Sequence, residues 1–394
     1  MSHIQALKSA GTIHLGDLQK QGNRIELSVQ YGTQTHPIFF ESDDFDLVPN
    51  REAKIAFALC SCMVTGSPLE VNGSISVRLL DAIPHIQDVF SCWYPHYQHI
   101  QLASVLPKTA NKQGTRGRTA LFFSGGLDCW YSLIKHKEEI TDLIFIWGYD
   151  IPLENTCLFE KTLSSQQKVA RGMDKHLIVI RTNMRSFTDQ FVRWNNIFGT
   201  GLAGIAHLLS PEIGKIYLAG GQSYKRIWPA GSHLLVDPYW SSEDIEIIYD
   251  AAELSRVEKA RVVGENDLAM QTLRVCWANP DNDYNCGRCE KCLRTMVNLQ
   301  VAGALERCTT FAVPLSLERI SKLTFFDQGD LNYLEENTRT AQKQPHNRKL
   351  FRALRRALNR FSLLHFLRRI RGNYPTLFPN MNRIKKSLRR VRFK

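Results

Sequence analysis

The chain has 394 residues, of which 43% are hydrophobic, and no apolar run approaches the length of a membrane span; this suits two soluble domains and a tail. The formal charge of +12 is not spread evenly: 17 of the 50 Lys and Arg lie between Lys343 and Lys394, where there is no Asp or Glu, and the rest of the chain carries 33 basic against 38 acidic residues. The body is therefore mildly acidic, and a protein basic over its whole surface is excluded. No basic start followed by an apolar core follows Met1, so the ten cysteines are expected in a reducing, cytoplasmic setting rather than in disulfides.

Residues 1–110 are expected to form a small accessory α+β domain without a chemical motif. Alternation marks a strand at 25–29, an apolar helix fits 51–63, and further strands are expected at 74–79 and 99–102. Residues 108–118 are polar and contain glycine, as a linker does.

At 119–129 the chain reads Thr-Ala-Leu-Phe-Phe-Ser-Gly-Gly-Leu-Asp-Cys. An apolar, β-prone run stops at Ser124, Gly125, Gly126, Leu127, Asp128 and Cys129, and a helical pattern begins at once. A strand, a glycine turn and a helix start make an anion cradle, because glycine lets the backbone approach a phosphate and the first helical amides lack partners. No Gly-Lys-Ser/Thr follows, so this is not the Walker loop.

Downstream, helices at 128–137, 158–172 and 187–209 alternate with strands at 143–147, 177–180 and 216–219. That alternation predicts an α/β fold, a parallel sheet with helices on both faces, and ligands at the carboxyl ends of the strands. His207 is expected in a core or on the surface, and Gly199, Gly201 and Gly204 in close helix packing. Ser232, His233 and Asp237 share one short Pro/Gly-rich loop, which argues against a hydrolase triad and for a substrate-contacting loop. A helix is expected at 253–259, with Arg256 and Lys259 either offsetting phosphate charge or solvated.

Cys276, Cys286, Cys289 and Cys292 fall within seventeen residues, with two Cys-x-x-Cys steps sharing Cys289. Tetrahedral zinc with four thiolates needs such clustering, and Gly287 suits the turn; an iron–sulfur cluster is the main alternative. With no spare ligand the site is expected to be closed and structural. The tail at 343–394 begins with a basic amphipathic helix whose apolar stripe is Leu350, Phe351, Leu354, Leu358 and Phe361. It suits an anionic membrane, an acidic protein or nucleic acid.

The Ser-Gly-Gly-x-Asp string resembles the pyrophosphate loop of the PP-loop ATP pyrophosphatase superfamily, with Cys129 where that family usually has Ser. Together with Cys276…Cys286-Gly-Arg-Cys289-Glu-Lys-Cys292 and Leu293-Arg294, it resembles the 7-cyano-7-deazaguanine synthases over about residues 118–300. The segment between the last core strand and the cysteines departs from theirs. It reads Gly220-Gly221-Gln222-Ser223-Tyr224, then Trp228-Pro229-Ala230-Gly231-Ser232-His233 and Asp237-Pro238-Tyr239-Trp240, so the acceptor side differs. The resemblance implies a PP-loop domain at 118–310 that cleaves ATP between the α- and β-phosphates, with Mg2+ on the phosphates and Zn2+ on the cysteines. Ser124 to Cys129 would hold the nucleotide, Asp128 either holding the ion or positioning the loop. A small-molecule carboxylate or amide would be adenylated and passed to ammonia or an amine. An RNA-modifying sulfur-transfer enzyme and a non-catalytic nucleotide- and zinc-binding scaffold are the alternatives, and a homodimer is compatible with each.

Overall fold

A computed structural model describes residues 12–108, 117–210, 212–323 and 328–373, with backbone alone for residue 328 and for 362–373. Residues 1–314 form one unit and 315–394 a second. The first unit opens with strands β1 (Ile13–Leu15), β2 (Gln19–Gln21), β3 (Arg24–Tyr31) and β4 (Gln34–Glu41). In β3 the alternation holds as expected, with Ile25, Leu27 and Val29 buried. Helix α1 (Arg51–Thr65) starts at Asn50, whose side chain accepts from Ala53 N.

Strand β5 (Leu69–Ile75), helix α2 (Val77–Trp93) and strand β6 (Leu102–Pro107) make a parallel two-stranded unit of their own. The strand expected at 74–79 is thus the end of β5 and the start of α2. Ser76 makes the switch: its hydroxyl accepts from Leu79 N, and its own N–H donates to Glu52. The strand expected at 99–102 runs later, along β6.

The core alternates as anticipated: β7 (Arg118–Phe122), α3 (Leu127–Lys135), β8 (Asp142–Trp147), α4 (Thr156–Met173), β9 (His176–Thr182), α5 (Met184–Thr188), α6 (Trp194–Leu209) and β10 (Ile213–Ala219). A strand absent from the sequence reading, β11 (Glu246–Asp250), closes the series beside β10. Helices α7 (Arg256–Gly264), α8 (Asp267–Thr272) and α9 (Glu290–Ala302) follow. The sheet order is β1-β3-β4-β9-β8-β7-β10-β11 with β2 on β3, and β9-β8-β7-β10-β11 is parallel throughout.

Alternate residues of β7, and Phe123 just after it, serve two cores. Ala120 and Phe122 face a layer that includes α1 and α6; Leu121 and Phe123 face one built from α3, α4, α7, α8 and α9. Helices therefore cover both faces. The separate accessory domain expected at 1–110 is corrected here. β4 pairs antiparallel with β9 through Phe40 and Glu41, and α1 packs on α6, where Phe57 fills the space left by Gly204. An open edge at β9 would expose unpaired backbone groups, and the N-terminal hairpin pairs with part of it through Phe40 and Glu41. The linker's residues 109–116 lie outside the described ones.

The second unit contains α10 (Leu317–Ser321), α11 (Gln328–Gln342) and α12 (Arg348–Asn373). On α12, Leu350, Ala353, Leu354 and Ala357 are buried, while Arg348, Lys349, Arg352, Arg355, Arg356 and Arg360 are exposed. That part of the apolar stripe is packed inside its own unit and is not open to a membrane. The basic end expected at 383–394 lies outside the described residues.

Candidate functional site

Strand order reverses direction at β7, with β8 on one side and β10 on the other. The loops leaving β7 and β10 therefore stand side by side at the carboxyl edge of the sheet, at the switch point where α/β folds take ligands. The β7 loop is Ser124–Asp128. Gly125 has φ +80°, and a Cβ there would meet Gln166 Nε2 at 3.0 Å and Arg274 Cβ at 3.4 Å. Gly126 is the N-cap of α3 and brings no side chain to its first amides, so those donors remain for a ligand. Ser124 is exposed at the turn, whereas Leu127 is buried in the core and anchors the loop. Cys129 is spent inside the turn: its thiol donates to Gly126 O at 3.2 Å and lies 3.8 Å from Ser124 Oγ. Burial pushes this thiol up, which disfavours a reactive thiolate.

Asp128, in the first turn of α3, faces two cations. Its carboxylate accepts from Arg256 Nη1 and from Lys259 Nζ at 3.4 Å, and Lys259 Nζ also donates to Gly220 O at 2.6 Å. The lysine thereby ties the β7 loop to the β10 loop. Both cations sit in the first turns of α7, which Ser255 and Glu258 close with a capping box. They are buried rather than solvated. Burial alone pushes the Asp128 carboxyl up, but Arg256, Lys259 and Arg294 outweigh it and hold it below the usual carboxylate range. Burial pulls the Lys259 ammonium below its ordinary value, with Asp128 opposing. Of the two roles expected for Asp128, these contacts favour positioning the loop.

The four cysteine sulfurs lie within 4.8 Å of one another, so they are placed to hold a metal ion. Cys276 and Cys289 sulfurs are 3.9 Å apart, as are those of Cys286 and Cys292. A tetrahedral ion with metal–sulfur bonds of about 2.3 Å needs edges of about 3.8 Å. Cys286 accepts from the amides of Arg288 and Cys289, and Cys289 caps α9 by accepting from Cys292 N. Gly287 turns at φ +61° against Val313. Asn285 clamps the first ligand from behind, its Oδ1 accepting from Val275 N and Cys276 N. The segment that delivers Cys276 is the one that touches the loop, since Arg274 N donates to Gly125 O at 2.9 Å.

The loop at 220–242 does not hold a nucleophile set. Ser232 donates to Asp237, but His233 Nδ1 is taken by Leu235 N at 3.0 Å. Burial raises Asp237 to about 7 and lowers His233 to about 4. His207 is a core residue, its Nε2 2.9 Å from Trp240 O. An open cleft of about 560 Å3 lies beside the cysteine segment, lined by Lys161, Ser165, Lys168, Arg171, Tyr284 and others, and none of Ser124–Cys129 reaches it.

Gln166, Arg274 and Asn285 had no mark in the sequence: Gln166 is one polar residue of a helix far from the loop in the chain, Arg274 and Asn285 are two of the polar residues in and beside the cysteine motif, and only the fold shows what they touch. Searches against protein-family models, curated proteins and solved structures find no match.

Proposed function

We propose that the chain is an ATP-dependent, AMP-forming ligase of the PP-loop type. The observation that carries this reading is the placement of Ser124–Asp128 at the switch point of a parallel sheet, with uncapped α3 amides beside buried Arg256 and Lys259. Arg256, Lys259 and Arg294 together act on Asp128 beside the loop, so cations gather where pyrophosphate would bring negative charge, and fixed dipoles and charges stabilise a leaving group that develops there. A substrate carboxylate or amide oxygen attacks the α-phosphorus; the new O–P bond forms as the bond to the bridging oxygen breaks and pyrophosphate departs. Ammonia or an amine then attacks the activated carbon, forms the C–N bond and expels AMP. Magnesium enters on the phosphates of the nucleotide.

The cysteine cluster suits a single zinc ion. A polynuclear iron–sulfur cluster spreads four thiolates over more than one iron, whereas here two sulfur pairs stand close to the edge of a ZnS4 tetrahedron and all four sulfurs lie within 4.8 Å. No open coordination position is needed: the ion's task is to fix the segment from Arg274 to Cys292 against the loop. This weighs against the sulfur-transfer alternative, as does the buried Cys129.

The test is product analysis. Protein, MgATP and a desalted small-molecule extract are expected to release AMP and pyrophosphate, with release lost in Asp128→Ala. ADP and phosphate as products would overturn the reading.

A further inference from the structure

Arg274 is buried to 3% exposure. Its Nη2 donates to Asn279 Oδ1 at 2.9 Å, its Nε finds no acceptor, and no carboxylate among the described residues pairs with it. A guanidinium taken out of water without a counter-charge costs several kcal/mol, so burial of this kind calls for an anion. Its place says where the anion sits. The Arg274 amide donates to Gly125 O, and its Cβ closes on the space beside Gly125. Asn279, in a left-handed turn at φ +45°, holds the guanidinium toward the carboxyl end of β8, since its own Nδ2 donates to Asp150 O at 2.8 Å.

Gln166, reaching in from α4, adds a second unfinished group. It is 1% exposed, its Nε2 points at Gly125, and its Oε1 has no partner. A phosphate offers acceptors to Arg274 and Gln166 Nε2. A ribose hydroxyl offers the donor that Gln166 Oε1 lacks. The helix α3 whose N-terminus is capped by Gly126 begins at the same loop, and its Asp128 carries the buried Arg256 and Lys259.

We propose that Arg274 binds a phosphate of the loop's ligand directly, with Gln166 beside it, so that the anion site is closed by residues from the cysteine segment and from α4 as well as by the loop. This deepens the nucleotide reading and rests on it. A planar fork suits two oxygens of one phosphate, which a lysine cannot reproduce.

The experiment titrates the full-length protein with MgATP and separately with inorganic pyrophosphate by calorimetry, in wild type, Arg274→Gln and Arg274→Lys. Zinc content and melting temperature are followed in parallel. The proposal expects Arg274→Gln to weaken both ligands by about 10- to 100-fold, as loss of a charged hydrogen bond does, with zinc retained. Arg274→Lys is expected to weaken them about 10-fold; if Arg274→Gln does not fold, this variant decides. Unchanged affinity in a folded variant overturns the proposal. So does loss of zinc with pyrophosphate binding intact, which would make Arg274 a counter-ion of the thiolates. Wild type that binds pyrophosphate but not ATP, with the loss in Arg274→Gln, keeps the anion site and overturns the nucleotide reading. Wild type that binds neither overturns both.

Discussion

Gly125 turns the chain at φ +80° with Gln166 and Arg274 closing on the space where a side chain would begin. Gly125→Ala combines a left-handed backbone with a contact at 3.0 Å, and strain of that kind costs about 1–3 kcal/mol. We expect a lower melting temperature and loss of MgATP binding by calorimetry; full binding would show that the loop tolerates a side chain and holds no phosphate. Asp237 makes a different demand. Burial raises its carboxyl to about 7, above the ordinary value of 3.8, so the folded state favours the protonated form. Its contribution is fully present below about pH 4 and is lost as pH rises through about 7. Wild type should therefore lose stability across that window by more than Asp237→Asn does, in melting temperatures taken from pH 4 to 8. Parallel curves would contradict the buried, uncompensated carboxyl. Residues such as Ser124, Gly125 and Asp128 were legible because the loop is contiguous. The burial of Asp237 and the missing counter-charge of Arg274 were not, because burial and missing partners are properties of packing, not of local sequence.

Among elements, the cysteine segment and the loop form one mechanical unit. Asn285 holds the amide of Cys276, and the amide of Arg274 holds the carbonyl of Gly125. On the proposed zinc reading, stripping the ion removes the restraint on four ligands at once, since structural zinc contributes directly to folding energy. Chelation, or Cys289→Ser, is expected to release one zinc per chain, lower the melting temperature and weaken ATP binding together. Zinc loss without a change in ATP affinity would uncouple the knuckle from the site. The cysteine spacing was visible because ligand geometry is local. Helix α2 was hidden because Ser76 looks like one more residue in an alternating run, and its capping role appears only against Leu79 and Glu52. Strand β11 was hidden in the same way: it follows a long Pro/Gly-rich loop, and its pairing with β10 is what defines it.

At the scale of the molecule, the N-terminal residues belong to the core. Phe40, Leu59 and Met63 share one buried layer with Ala120, Ile144 and Ile216. The buried Lys54 reaches out to Asp17 at 2.8 Å. Removing residues 1–110 would uncover that face of the sheet and free the edge of β9. The fragment 118–310 is expected to be insoluble or unfolded by circular dichroism, and a soluble, cooperatively melting fragment would contradict the single-unit fold. The sequence pattern showed the helices and strands of 118–219 because each follows its own period. It did not show that 1–110 completes their sheet, because pairing between distant strands leaves no periodic trace.

The measurement that bears most directly on the whole account is pyrophosphate exchange. Full-length protein, MgATP, labelled pyrophosphate and the small-molecule fraction that drives AMP release are incubated together. An adenylated intermediate held beside the Ser124–Asp128 loop predicts label entering ATP, at a rate that depends on the fraction. Turnover with that fraction but no label in ATP, and ADP among the products, would contradict cleavage between the α- and β-phosphates.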